Sequence, residues 1–115
     1  MLNECLFCKI IKGEIVANIV DQTEHALAFL DINPKAPTHI LIIPKEHIAS
    51  CRDLNEKNIH YLSEMAILAQ KSSDKEKITK KGYRWVINTG DDGGQTVEHI
   101  HLHLLGGRKM TWPPG

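Results

Sequence analysis

The run His99-Ile100-His101-Leu102-His103-Leu104 alternates an imidazole with an aliphatic side chain and is closed by Gly106-Gly107. In a strand, successive side chains point to opposite faces. The pattern therefore predicts a strand with Ile100, Leu102 and Leu104 against a core and three imidazoles on the other face. Imidazole changes charge near neutrality, so a neutral ring can attack while a protonated one nearby donates a proton. The run reads as a catalytic group of histidines, set against three plainer readings: a zinc site, an ordinary polar strand face and an expression tag. A tag would not be interleaved with Ile and Leu, and a His-x-His zinc pair needs further ligands from elsewhere in the chain.

A chain of 115 residues suits one domain with a real core, to whose stability a partner subunit would add. Lysine plus arginine equals aspartate plus glutamate, 14 each, so no global field draws the protein to nucleic acid or an anionic membrane. A small-molecule partner is expected instead. No apolar stretch approaches a membrane span, and the start Met-Leu-Asn-Glu-Cys lacks the basic and hydrophobic segments of a secretory signal. A cytoplasmic protein is expected, with Cys5, Cys8 and Cys51 as thiols.

Along the chain, residues 5–12 place Leu6, Phe7, Ile10 and Ile11 at helical spacing before Gly13. Residues 16–20 and 25–30 predict a hairpin around Asp21-Gln22-Thr23-Glu24. Pro34 and Pro37 mark a loop, and Thr38–Ile43 predicts a buried strand that ends at Pro44. Asn55 is a good N-cap for a helix, with Leu54 and Ile59 at staple spacing. Its apolar face would be Ile59, Leu62, Met65, Ala66 and Ala69, fading into the charged stretch Lys71–Lys81, a solvated helix end and loop. Residues 83–88 form a further strand, and Asp91-Asp92-Gly93-Gly94 a turn into the histidine strand. Two helices and about five antiparallel strands make an α+β domain. Cys5-x-x-Cys8 has the spacing of a zinc clamp; two small buried residues or a redox pair are the alternatives, the latter without its usual βαβ context.

The run from His99 to Leu105 resembles the signature of the histidine triad superfamily of nucleotide hydrolases and transferases. The segments Asp31–His39, Ile43-Pro44-Lys45, Gly82-Tyr83-Arg84, Asp92-Gly93-Gly94-Gln95 and Trp112-Pro113-Pro114-Gly115 resemble its Hint branch, the purine nucleoside phosphoramidases. The resemblance covers nearly the whole chain and implies one histidine triad domain over residues 1–115. It implies a hydrolase acting on adenosine or guanosine 5′-phosphoramidates and on aminoacyl-adenylates, and a homodimer whose two sheets join into one of ten strands.

By position in the motif, His101 would be the nucleophile, its other ring nitrogen bonded to the carbonyl of His99. His103 would contact the phosphate, and His99 and His39 would complete the polar cluster. Thr96 stands where the family usually has serine, beside the leaving group. Asn88 and the turn of Gly94 and Gln95 would bind phosphate, Asp31 the ribose hydroxyls, and Phe7, Ile10, Phe29 and Ile32 the purine. Trp112 would shape the leaving-group pocket of a partner subunit or simply anchor the terminus to the surface. Cys5, Cys8, His47 and His99 match the zinc set of cysteine-bearing bacterial relatives, a structural ion that the chemistry would not require. Two other functions fit the same motifs: dinucleoside polyphosphate hydrolysis, whose branch has glutamine where this chain has His103, and a zinc-dependent nucleotide-binding module without turnover.

Overall fold

A computed structural model describes residues 5–115; residues 1–4, which carry most of the start read above for a secretory signal, lie outside the described residues. Five strands form one antiparallel sheet: β1 (Ile19–Gln22), β2 (Ala26–Leu30), β3 (Thr38–Pro44), β4 (Tyr83–Val86) and β5 (Leu102–Gly106), in the order β1-β2-β3-β5-β4. Three helices accompany it: α1 (Leu6–Ile11), α2 (His60–Lys75) and the single turn α3 (Gly90–Gly93). No helix among the described residues is long and apolar enough to cross a membrane.

The period of two in the strands sorts the core into two layers. On one face Ala26, Ala28, Ile40, Ile42, Leu102 and Leu104 pack beneath Met65, Leu68 and Ala69 of α2. On the other, Leu27, Phe29, Leu41 and Ile43 meet Phe7 and Ile10 of α1. Six residues are too few for a helix to persist alone. The buried Phe7 and Ile10 hold α1 in place, at about 1.5–3 kcal/mol for each such side chain. Cys5 caps it, its Sγ accepting the N–H of Cys8 at 3.4 Å, and Gly13 ends it at φ +79°.

Several boundaries differ from those expected. Asp21 and Gln22 belong to β1, and the hairpin turn lies later because the Thr23 hydroxyl accepts the N–H groups of His25 (3.2 Å) and Ala26 (3.1 Å). Asn55 caps a separate turn, accepting from Lys57 and Asn58, so α2 starts at His60 and Ile59 is exposed rather than stapled. Within the expected helix end over Lys71–Lys81, Ser72 and Ser73 are not solvated: they continue the inward stripe of Leu68 and Ala69 and are fully buried. Strand β4 stops at Val86, before Asn88, and Asp91–Gly94 is the helical turn α3 with Gly94 as its left-handed cap.

Candidate active site and metal centre

The histidine run keeps its two faces but not its ladder. Ile100, Leu102 and Leu104 are buried, as the alternation requires, whereas sheet pairing begins only at Leu102. Upstream, one backbone bond, Ile100 N–H to the Ile48 carbonyl at 2.7 Å, holds the chain as it leaves the sheet. His103, paired with Leu41 and Val86, lies within the sheet, and His101 and His99 follow on the segment that departs from it.

Each ring is oriented by a partner that also fixes its proton. His101 donates from Nδ1 to the His99 carbonyl at 2.8 Å, so Nε2 of the neutral ring bears the lone pair. The edge of Phe7 rests on that ring, with centroids 5.1 Å apart. His39 accepts the Lys35 backbone N–H at Nδ1 (3.0 Å), which places its proton on Nε2. From there it donates to Nδ1 of His103 at 2.9 Å, leaving His103 with its proton on Nε2. Oδ2 of Asp31 lies 3.4 Å from the same His39 nitrogen, while Oδ1 accepts the Asn33 N–H.

Burial favours the neutral form of all four rings. It lowers the pKa of His39 and of His101, against the opposing pull of Asp31 and, for His101, of the His99 carbonyl. Burial, helped by the charges of His101 and His39, takes His103 to about 4. Burial likewise takes His99 to about 4.

Asp31, His39 and His103 bring three metal-capable atoms together, yet their hydrogen bonding argues against an ion there. The Lys35 N–H at Nδ1 of His39 requires a proton on Nε2, the atom a metal would need. The group is better suited to a chain of hydrogen bonds that orients both rings.

The second cluster is of another kind. Cys5, Cys8, His47 and His99 converge, with Sγ of Cys5 and Nδ1 of His99 3.4 Å apart, Sγ of Cys8 and Nδ1 of His47 3.3 Å, and Sγ of Cys8 and Nδ1 of His99 3.6 Å. Tetrahedral zinc, with bonds of about 2.3 Å to sulfur and 2.0–2.1 Å to nitrogen, puts its ligands roughly 3.5 Å apart. His99 also donates from Nε2 to the Pro44 carbonyl at 2.9 Å, which frees Nδ1 to ligate and fixes the ring plane. Burial and the neighbouring Cys5 push the Cys8 thiol up to about 11. The four residues fit a structural zinc. Cys51 lies apart, half-buried against the α2 layer.

Other expected residues divide. Phe7, Ile10 and Phe29 line one layer beside the histidines, whereas Ile32 is 88% exposed and separate from them. Gly94 takes φ +82°, but its N–H and that of Gln95 donate back to the carbonyls of Asp91 and Gly90. The Gln95 amide is engaged as well, donating to the carbonyls of Ala49 and Val97 and accepting from Gly90 N–H. Gln95 therefore braces the loop. The next amides, of Thr96 and Val97, have no acceptor among the described residues. Asn88 is half-buried and Thr96 exposed. Trp112 is 81% exposed. The sequence reading missed Lys35, whose contribution is a backbone N–H, and the bracing role of the Gln95 side chain.

Comparison with known proteins agrees with this geometry. Residues 12–110 match the HIT domain family. The 14 kDa zinc-binding protein of Zea mays is 49% identical over 96% of this chain and 87% of its own length. Among solved structures, a HIT family hydrolase from Legionella pneumophila superposes with a TM-score of 0.95 at 54% identity, covering 97% of this chain and all of that one. A histidine triad nucleotide-binding protein from Candida albicans superposes with a TM-score of 0.81 at 35% identity, over 96% of this chain and 83% of that one. Fold, triad and family match converge, and the chain belongs to the HIT family.

Proposed function

We propose that the protein is a hydrolase that cleaves the P–N bond of purine nucleoside 5′-phosphoramidates, and aminoacyl-adenylates, through a nucleotidyl-histidine intermediate on His101. The observation that carries this reading is the 2.8 Å bond from Nδ1 of His101 to the His99 carbonyl, which presents Nε2 as a neutral nucleophile. The names of the Legionella and Candida proteins, a hydrolase and a nucleotide-binding protein, support it.

In this mechanism Nε2 of His101 attacks the α-phosphorus and the bond to the amine nitrogen breaks. The positive charge that develops on the ring is stabilised through Nδ1–H by the His99 carbonyl. The departing amine nitrogen takes one proton from solvent, while His103, held by His39 at Nδ1, donates a hydrogen bond from Nε2 to the reacting group. Water then attacks phosphorus, the P–N bond to His101 breaks, nucleoside monophosphate leaves, and the proton of water returns to solvent. The amides of Thr96 and Val97 would hold phosphate oxygens with Asn88, and the Thr96 hydroxyl would lie toward the leaving group. Asp31 would bind the ribose and Phe7, Ile10, Phe29 and Ile32 the base.

Cys5, Cys8, His47 and His99 would hold one zinc, which ties α1 to the segment carrying His101; the name of the maize relative supports this assignment. In this reading the chain works as one cytoplasmic domain that dimerises through β4, an edge strand exposing Trp85, and Trp112 reaches the partner's site.

The test is steady-state turnover of an adenosine 5′-phosphoramidate beside a dinucleoside triphosphate. Preference for the phosphoramidate is expected. Preference for the dinucleotide would move the protein to polyphosphate hydrolysis, and tight binding with turnover of neither would make it a binding module.

A further inference from the structure

Outside the triad, the Arg108 guanidinium grips the carbonyl of Lys35 with two N–H groups, Nη2 at 2.9 Å and Nε at 3.3 Å. Lys35 is also the residue whose backbone N–H bonds Nδ1 of His39 at 3.0 Å. Both polar groups of one backbone residue are thus held, one by a cation and one by a catalytic ring. Lys35 lies between Pro34 and Pro37 on an exposed loop that no sheet pairing steadies. Arg108 reaches it from the end of the neighbouring triad strand, just beyond β5 and Gly107.

We propose that Arg108 is a positioning residue for catalysis: by fixing Lys35 it keeps the Lys35 N–H on Nδ1 of His39 and so holds His39 in the Nε2–H form that donates to His103. The two tautomers of a neutral imidazole are close in energy, and the hydrogen bond at one nitrogen selects between them. With Nδ1 supplied with a donor, the His39 proton has one place to sit, 2.9 Å from His103. Without that donor, His39 can turn its lone pair toward His103, and His103 loses the donor that keeps its own proton on Nε2. A bidentate guanidinium clamp suits the task because its planar fork fixes direction as well as distance.

Arg108 does not face the triad. It lines an open basic groove of about 760 Å³ with Lys77, Lys81, Arg84 and Lys109, and an Nη1 N–H bonds the Lys109 carbonyl. Its removal therefore leaves no internal cavity, and Arg108→Ala should fold.

This inference rests on the functional reading for its link to turnover, but its first test does not. Long-range proton–nitrogen NMR correlations of His39 in the substrate-free, full-length protein report the tautomer directly. Wild type should show Nε2–H alone, Arg108→Ala a mixture of both forms, and Arg108→Lys, which keeps one donor, a state nearer wild type. With adenosine 5′-phosphoramidate, Arg108→Ala should lose about tenfold in kcat, with KM changed less than about twofold. Persistence of the Nε2–H form in Arg108→Ala overturns the assignment whatever its turnover, as does a loss confined to KM. Wild type that shows the Nε2–H form yet hydrolyses no phosphoramidate would instead defeat the functional reading and leave the tautomer assignment standing.

Discussion

Nδ1 of His101 lies 2.8 Å from the carbonyl oxygen of His99, a residue two places earlier in the same strand-like segment. A carbonyl can only accept, so the neutral ring has its lone pair on Nε2 and needs no general base to become a nucleophile. Replacing His101 with alanine should therefore leave the fold intact and lower phosphoramidate turnover by on the order of 10³-fold or more. Thermal unfolding and single-turnover assays check the two halves of this expectation; turnover within tenfold of wild type would place the nucleophile elsewhere.

The same rings set an acid limit. His101 attacks only when neutral, and burial lowers its pKa below the ordinary 6.5, while burial and neighbouring histidines take His103 to about 4. Turnover should hold from neutrality to well below pH 6.5 and fall toward pH 4. Stability follows the same direction: between 6.5 and about 4 the unfolded chain binds a proton at His103 that the folded chain refuses. That contribution is full above 6.5 and is lost as pH falls. A pH series of kcat/KM and of Tm checks both, and an acid limb centred at or above 6.5 would contradict neutral, buried rings.

Much of this site was legible before any fold was known, because it is written in side chains. Period two placed Ile100, Leu102 and Leu104 inward and the imidazoles together, and the spacing of Cys5 and Cys8 marked a clamp. The parts that were illegible are backbone groups, which carry no residue identity: the Lys35 N–H on His39 and the Pro44 carbonyl on His99. Gln95 misled for a related reason, since its amide is used to close the loop. In the fold, Ser72 and Ser73 were hidden in a charge run, because small hydroxyl residues continue a buried helical stripe without looking apolar.

Zinc should be measurable as stability. Cys5→Ser removes a thiolate from a set whose sulfur–nitrogen separations are 3.3–3.6 Å. The expected loss is about 3 kcal/mol, on the order of 10 °C in Tm, with zinc content falling in parallel by elemental analysis. A chelator should lower the Tm of wild type and leave that of the variant unchanged. Wild type that holds no zinc as purified and whose Tm a chelator does not change would reject the site.

Strand β4 forms one edge of the sheet and exposes Trp85, which stacks on Tyr83 with centroids 6.3 Å apart. An apolar edge of this kind invites pairing with a second copy. Trp85→Lys should convert a dimer to monomer in sedimentation velocity at micromolar concentration, with little loss of secondary structure by circular dichroism. Wild type that sediments as a monomer would remove the dimer from the proposed function.

Gly107 joins the triad strand to the loop that holds His39. It has φ +89°, and a Cβ built there would lie 2.8 Å from Cβ of Pro37. Two costs coincide in Gly107→Ala: a left-handed backbone imposed on an L-residue, and a clash with a rigid ring that can only move by shifting the loop. Together they should destabilise by about 2–3 kcal/mol. Displacement of Pro37 also pulls on Lys35 and hence on the His39 bond, so kcat should fall along with Tm. Gly13→Ala is the control: its φ of +79° carries the same backbone strain, but no atom lies within 4 Å of its Cβ and it is remote from the Lys35 loop. Loss of stability in both variants with loss of kcat only in Gly107→Ala would tie catalysis to the Pro37 contact; equal kcat in the two would show that the loop absorbs the shift without moving His39.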